Sequence, residues 1–209
     1  MFDDRTDAGE QLAAHLERRG LEAELVLGIP RGALPVARPV ADALDADLDV
    51  VVARKMGAPG NPELAIGAVA SDGSVWYNDD LIARLGISEA YLEEVRTNEA
   101  ENAREKASRY RDGADLPSLE GQRVVVVDDG VATGATARAC LRQVRDADAT
   151  FVALAVPVAS PRSVDDLEAE ADEVIALETP QSFRAVGQFY RTFGQVSDDE
   201  AIAYLQEDS

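Results

Sequence analysis

The sequence predicts an α/β fold built on a central, mostly parallel sheet flanked by helices. Three observations carry this expectation. Short apolar runs at Leu25-Val26-Leu27, Leu48 to Ala53, Val124 to Val127 and Phe151 to Val158 read as strands buried on both faces. Segments with helical spacing separate them, and that alternation argues a parallel sheet. At 209 residues the chain suffices for a single α/β domain with a full core, residues 1–209, with little left for a second.

Taken in order, Ala8, Leu12 and Leu16 space an amphipathic helix from Arg5 to Arg19. The strand at Leu25 to Leu27 ends in Gly28-Ile29-Pro30-Arg31-Gly32-Ala33, and a helix follows from Leu34 to Leu44 with Pro35 in its first turn. After the Leu48 to Ala53 strand, Met56 to Glu63 holds two glycines, two prolines and an asparagine, which is loop chemistry. Leu64 to Ala70 pairs with Val75 to Asn78 across Ser71-Asp72-Gly73-Ser74 as a hairpin. Asp79 is expected to cap a helix to Leu85, and Ser88 a longer one to Tyr110. Asp112 to Glu120 is the clearest linker. Beyond the Val124 strand come a helix from Ala135 to Arg145, the Phe151 strand, a helix over Ser163 to Glu170, a strand over Glu173 to Leu177 and a helix from Ser197 to Leu205.

Composition narrows the class. No apolar run approaches the ~20 residues of a membrane span, and the acidic start Met1-Phe2-Asp3-Asp4-Arg5 is no secretory signal. A single cysteine, Cys140, excludes an internal disulfide and falls inside a helix, where it packs. A cytoplasmic protein is expected. Forty acidic residues against twenty basic ones give a net charge of −20. The acids are spread over helices of ordinary pattern, so they form no disordered tail. Such a surface is relieved by salt, which suggests a salt-rich cytoplasm. A nucleic-acid-binding face would need clustered cations, and no run of arginines offers one. Lysine occurs only at Lys55 and Lys106.

The richest segment runs from Val124 through Asp128-Asp129-Gly130-Val131-Ala132-Thr133-Gly134-Ala135-Thr136. Two carboxylates stand where open α/β sheets bind ligands. The Thr-Gly-Ala-Thr turn then opens a helix whose free N–H groups suit an anion. Carboxylates for hydroxyls beside an amide nest for a phosphate describe a receptor for a ribose 5-phosphate. Two more strand ends repeat the anion theme. Gly28 to Gly32 pairs glycines with the forked cation of Arg31, and Arg54-Lys55 puts adjacent cations at the sheet mouth.

The acidic pair followed by Thr-Gly-x-Thr resembles the PRPP-binding loop of type I phosphoribosyltransferases. The resemblance covers about Leu25 to Tyr190. It is closest to a group of predicted phosphoribosyltransferases of unassigned acceptor, on Gly28-Ile29-Pro30-Arg31-Gly32 and Arg54 to Ala68. It implies the type I fold with a small hood, formed by 179–209 and the N-terminal segment. It further implies transfer of the 5-phosphoribosyl group of PRPP to a nitrogen acceptor of nucleobase type, with release of pyrophosphate and Mg²⁺ arriving with PRPP. Asp128 and Asp129 then hold the ribose hydroxyls, and Val131, Ala132, Thr133, Gly134, Ala135 and Thr136 wrap the 5-phosphate. Arg31 and Gly32 belong to the pyrophosphate loop, with a cis or strained peptide around Arg31. Arg54, Lys55 and Glu63 are the catalytic candidates, on a mobile lid over Met56 to Ile66, and Phe183 is the ring nearest to a base-stacking position. Ala132 stands where oxopurine enzymes carry an aspartate, which argues against oxopurine salvage. Dimers are common in the family, so the resemblance allows a homodimer. A PRPP-binding regulator with little catalysis is the alternative, because such proteins carry similar loops.

Overall fold

The computed structural model describes residues 1–206; residues 207–209, the end of the expected hood segment, lie outside them. In chain order the elements are α1 (Arg5–Arg19), β1 (Leu25–Gly28), α2 (Leu34–Leu44), β2 (Asp47–Val50), β3 (Ala53–Ala58), β4 (Asn61–Ala70) and β5 (Val75–Tyr77). There follow α3 (Asp79–Leu85), α4 (Glu89–Tyr110), β6 (Arg123–Val127), α5 (Ala135–Asp146), β7 (Phe151–Val158), α6 (Pro161–Leu167), β8 (Glu173–Glu178) and α7 (Asp198–Gln206).

Five strands form a parallel sheet in the order β2-β1-β6-β7-β8. The valines of β6 sit at its centre and are fully buried, as their uninterrupted apolar run requires. Their side chains alternate between faces. Val124 and Val126 join Leu25, Leu27 and the inner face of α5, while Val125 and Val127 join Val26 with α1 and α2. The chain leaves β1 toward β2 and leaves β6 toward β7, so the order reverses between β1 and β6. That is the switch point at which such sheets hold ligands.

The helices begin and end where local chemistry dictates. Ser88 Oγ accepts from the Tyr91 N–H at the start of α4, and Ser197 Oγ from the Glu200 N–H at the start of α7. Asn78, rather than the expected Asp79, caps α3: its side chain accepts from the Leu81 N–H, which leaves Asp79 and Asp80 as first-turn acids beside the helix dipole.

Two further expectations need correction. The strand expected over Leu48 to Ala53 is split. Strand β2 ends at Val50, and the chain passes through buried Val51 and Val52 into β3, which belongs to a separate antiparallel sheet in the order β3-β4-β5. Nor is Met56 to Glu63 a loop. It forms the end of β3, a turn at Pro59-Gly60 with Gly60 at φ +73°, and the start of β4. Register shifts flank Gly57, where a Cβ would lie 2.6 Å from the Pro62 backbone. The glycines and prolines that read as irregular chain serve a bulged hairpin. The hairpin expected downstream, β4 with β5, is present.

The N-terminus closes onto the chain's far end. Phe2 N–H donates to Phe189 O at 2.8 Å, Arg191 N–H to Phe2 O at 2.9 Å, and Thr192 N–H to Asp3 O at 2.9 Å. Phe2, Tyr190, Phe189 and Phe183 pack around this seam. No described helix is long and apolar enough to cross a membrane.

Helices α1 and α2 approach so closely that a Cβ on Gly9 would lie 2.7 Å from the Val36 carbonyl oxygen. Gly9→Val is therefore expected to destabilise the fold by about 1–3 kcal/mol, read as a lower urea midpoint. An unchanged midpoint would show that the helices can separate at no cost.

Candidate active site

The register of the parallel sheet fixes where the site lies. Gly28 is aligned with Val50 on one side and Val127 on the other, so β2, β1 and β6 end level. The segments leaving these ends border a cavity of about 490 Å³. Ile29, Pro30, Arg31 and Gly32 line it from the β1 loop, Asp128, Asp129 and Thr136 from the β6 loop and α5. Arg54, Lys55, Gly57, Pro62 and Glu63 line it from the β3–β4 hairpin, and Glu99 from α4. Most of the residues singled out by sequence thus meet around one space.

The two aspartates are not equivalent. Burial, with the neighbouring Asp129 charge adding to it, pushes the Asp128 carboxyl well above the usual range, and the Lys55 charge partly opposes this. Burial also raises Asp129, but a hydrogen bond from Arg5 works against it. Asp128 Oδ1 accepts from the Asp129 N–H at 2.9 Å, and Asp129 Oδ2 from Arg5 Nε at 2.8 Å.

Beyond them the loop is braced from behind. Val131 N–H donates to Val158 O, and Val131 O accepts in turn from the Ser160 N–H, both at 2.9 Å. The Ala132 carbonyl accepts from Ser160 Oγ at 3.1 Å and Ser163 Oγ at 2.7 Å. Gly134, immediately before α5, lies in the left-handed region at φ 74°, and no side-chain cap takes the first-turn amides of that helix. An exposed Thr133 and these amides leave an uncapped anion cradle.

In the β1 loop the Pro30–Arg31 peptide is cis, as the resemblance implied. Lys106 on α4 donates Nζ to the Pro30 carbonyl at 2.9 Å. Burial, then the charges of Arg54 and Arg31, lower the Lys106 pKa. Arg31 lies 3.8 Å from Asp198 Oδ1 at the start of α7, and that carboxylate also accepts from Tyr110 Oη at 2.6 Å and pairs with Arg109 at 3.1 Å. On the hairpin, Arg54 Nε pairs with Glu99 Oε2 at 3.0 Å. Lys55 and Glu63 are exposed at the cavity rim.

Phe183 is not brought to this cavity. Its ring packs 5.0 Å from that of Phe189 at the N-terminal seam. Trp76, on β5, lies beneath the Arg138 guanidinium at 4.9 Å. Arg5, Glu99, Asp198 and the two serines carried no local signal, because each reaches the site from a distant element. Lys106 carried one: both lysines of an arginine-biased chain border the same loops.

Among the described residues no cluster of three or more His, Cys, Asp or Glu forms a metal cage. Asp128 Oδ2 and Asp129 Oδ1 are the acid oxygens not taken up by the bonds above. Two such oxygens fit a hard cation that keeps most of its waters and is carried by a phosphate ligand.

Comparison with known proteins agrees with this geometry. Residues 4–193 match the model of the phosphoribosyl transferase domain. Two Mycobacterium tuberculosis proteins, from strains CDC 1551 / Oshkosh and H37Rv, are each 46% identical over 205 residues, and their names make them phosphoribosyl transferases only provisionally. The match spans 98% of this chain but 46% of theirs, so the chain covers about half the length of these relatives. Protein TT1426 from Thermus thermophilus, solved by crystallography, is 45% identical, with a TM-score of 0.82 over 98% of this chain and 97% of that one. AQ2163 from Aquifex aeolicus shares the fold at a TM-score of 0.51 and 16% identity, over 82% and 73% of the two chains. The parallel sheet, its flanking helices and the small antiparallel sheet are those of the type I fold, and the chain belongs to the phosphoribosyl transferase domain family.

Proposed function

We propose that this chain transfers the 5-phosphoribosyl group of PRPP to a nitrogen acceptor of nucleobase type and releases pyrophosphate. The observation that carries the proposal is the meeting of an acid pair, Thr136 of an uncapped helix start and three cations around one cavity. The distribution of charge matches the three parts of PRPP. Asp128 and Asp129 accept from the ribose 2- and 3-hydroxyls. The turn from Val131 to Thr136 takes the 5-phosphate through backbone amides and hydroxyls. Arg31, Arg54 and Lys55 face the pyrophosphate, where forked and point cations stabilise the charge that grows as the C1–O bond breaks.

The nitrogen nucleophile forms its bond to C1 on the opposite face, and the bonding pair leaves with pyrophosphate. Asp128 and Asp129 would hold the Mg²⁺ that accompanies PRPP, and that cation would supply charge neutralisation on the leaving group. The β3–β4 hairpin takes the place expected of the lid: its Arg54, Lys55 and Glu63 border the cavity, and closing it excludes water. Glu63 is the hairpin's candidate proton carrier for the acceptor. The segment from 179 and the N-terminal residues, zipped together at Phe2, form the hood on the acid side of the cavity. Phe183 keeps no base-stacking role in this arrangement, since its ring packs on Phe189.

Turnover decides between catalyst and sensor. With PRPP, Mg²⁺ and a nucleobase panel in molar salt, one acceptor is expected to support stoichiometric pyrophosphate release. Tight PRPP binding with no release across the panel would leave a PRPP-binding regulator. Asp128→Asn is expected to weaken PRPP binding about tenfold or more, the effect of losing a charged hydrogen bond of ~1.5–3 kcal/mol; unchanged calorimetric affinity would remove the ribose assignment. Lys55→Ala should lower kcat more than it raises the PRPP dissociation constant, and equal losses would place Lys55 in ground-state binding.

A further inference from the structure

Arg5 is the first residue of α1, where a cation opposes the helix dipole and does nothing for helix stability. Its side chain instead crosses to a residue 124 positions away, Nε donating to Asp129 Oδ2 at 2.8 Å. The other contacts fix it in place. Nη1 donates to the Gly194 carbonyl at 2.7 Å, and the guanidinium lies 3.7 Å from the centre of the Phe193 ring. Only 12% of the Arg5 side chain and 15% of the Asp129 side chain remain exposed.

Two further observations place this pair in the site itself. A Cβ on Gly32 would lie 2.2 Å from Asp129 Oδ2 and 3.4 Å from Arg5 Nε, so the paired carboxylate fills the space a side chain at position 32 would take. Tyr190 Oη donates to the Asp129 backbone carbonyl at 2.6 Å, which pins the same residue from the hood side. With Oδ2 committed to Arg5, one carboxylate oxygen of Asp129 is left to meet a ligand.

We propose that Arg5 is a positioning residue for PRPP: it locks the Asp129 carboxylate in one orientation, joining the N-terminal helix to both anion loops. This rests on the phosphoribosyl reading above. Locking the carboxylate beforehand removes the ordering cost from the binding step. The role needs a guanidinium, whose separate N–H groups serve two acceptors at once, Asp129 Oδ2 and the Gly194 carbonyl; an ammonium on a flexible stem does less of this.

The test is a cycle of PRPP affinities measured by calorimetry for the whole chain with Mg²⁺. Arg5→Met is expected to weaken PRPP at least tenfold in the wild-type background and less than threefold in an Asp129→Asn background, with Arg5→Lys intermediate. Phe193→Leu, which removes the ring but leaves the ion pair, is expected to stay within threefold of wild type. Wild-type affinity in Arg5→Met, losses that multiply in the double variant, or a Phe193→Leu loss as large as that of Arg5→Met would each overturn the proposal. If Arg5→Met does not fold, the Arg5→Lys and Phe193→Leu affinities decide by the same ranking. A wild-type chain that binds no PRPP would instead bring down the phosphoribosyl reading itself.

Discussion

The in-register pairing of β1 with β6 is the constraint on which the rest of the molecule depends. Parallel neighbours lie about 4.8 Å apart, and Gly28 and Val127 end level. The loop carrying Arg31 and the loop carrying the two aspartates therefore leave the sheet side by side. A single ligand with an anionic group at each end can span both. A slip of one residue would carry Asp128 to the other face of the sheet and take the acid pair out of line with the Gly28 loop.

Electrostatics follow from this placement. In a chain of net charge −20, cations gather where the strands end: Arg31, Arg54 and Lys55 line the cavity, and Lys106 stands behind Pro30. Two of them are tethered by acids from other elements, Arg31 by Asp198 of α7 and Arg54 by Glu99 of α4. These pairs are partly exposed and contribute little to stability. Their consequence is orientation. The surface acids, by contrast, are spread over exposed helical faces, where salt screens them.

Much of this was legible in the sequence because it is local. The Val124 run, the acid pair and the Thr-Gly-Ala-Thr turn are contiguous, and their order alone implied strand, ligand edge and helix start. The same holds for Gly28 to Gly32. What escaped was of two kinds. Gly57, Gly60 and Pro62 read as loop because bulges and turns use the same residues, and only the pairing partner distinguishes them. Arg5, Glu99 and Asp198 reach the site across long stretches of chain, and no spacing rule reports such contacts. Phe183 failed for the same reason: an aromatic at the end of a sheet carries no mark of whether it meets a ligand or, as here, the seam formed around Phe2.

The most direct test is a crystal structure of the chain with PRPP and Mg²⁺. The 5-phosphate should lie against the amides from Thr133 to Thr136, the ribose hydroxyls on Asp128 and Asp129, and the pyrophosphate among Arg31, Arg54 and Lys55. PRPP bound elsewhere, or bound with its ribose turned away from the two aspartates, would contradict the account.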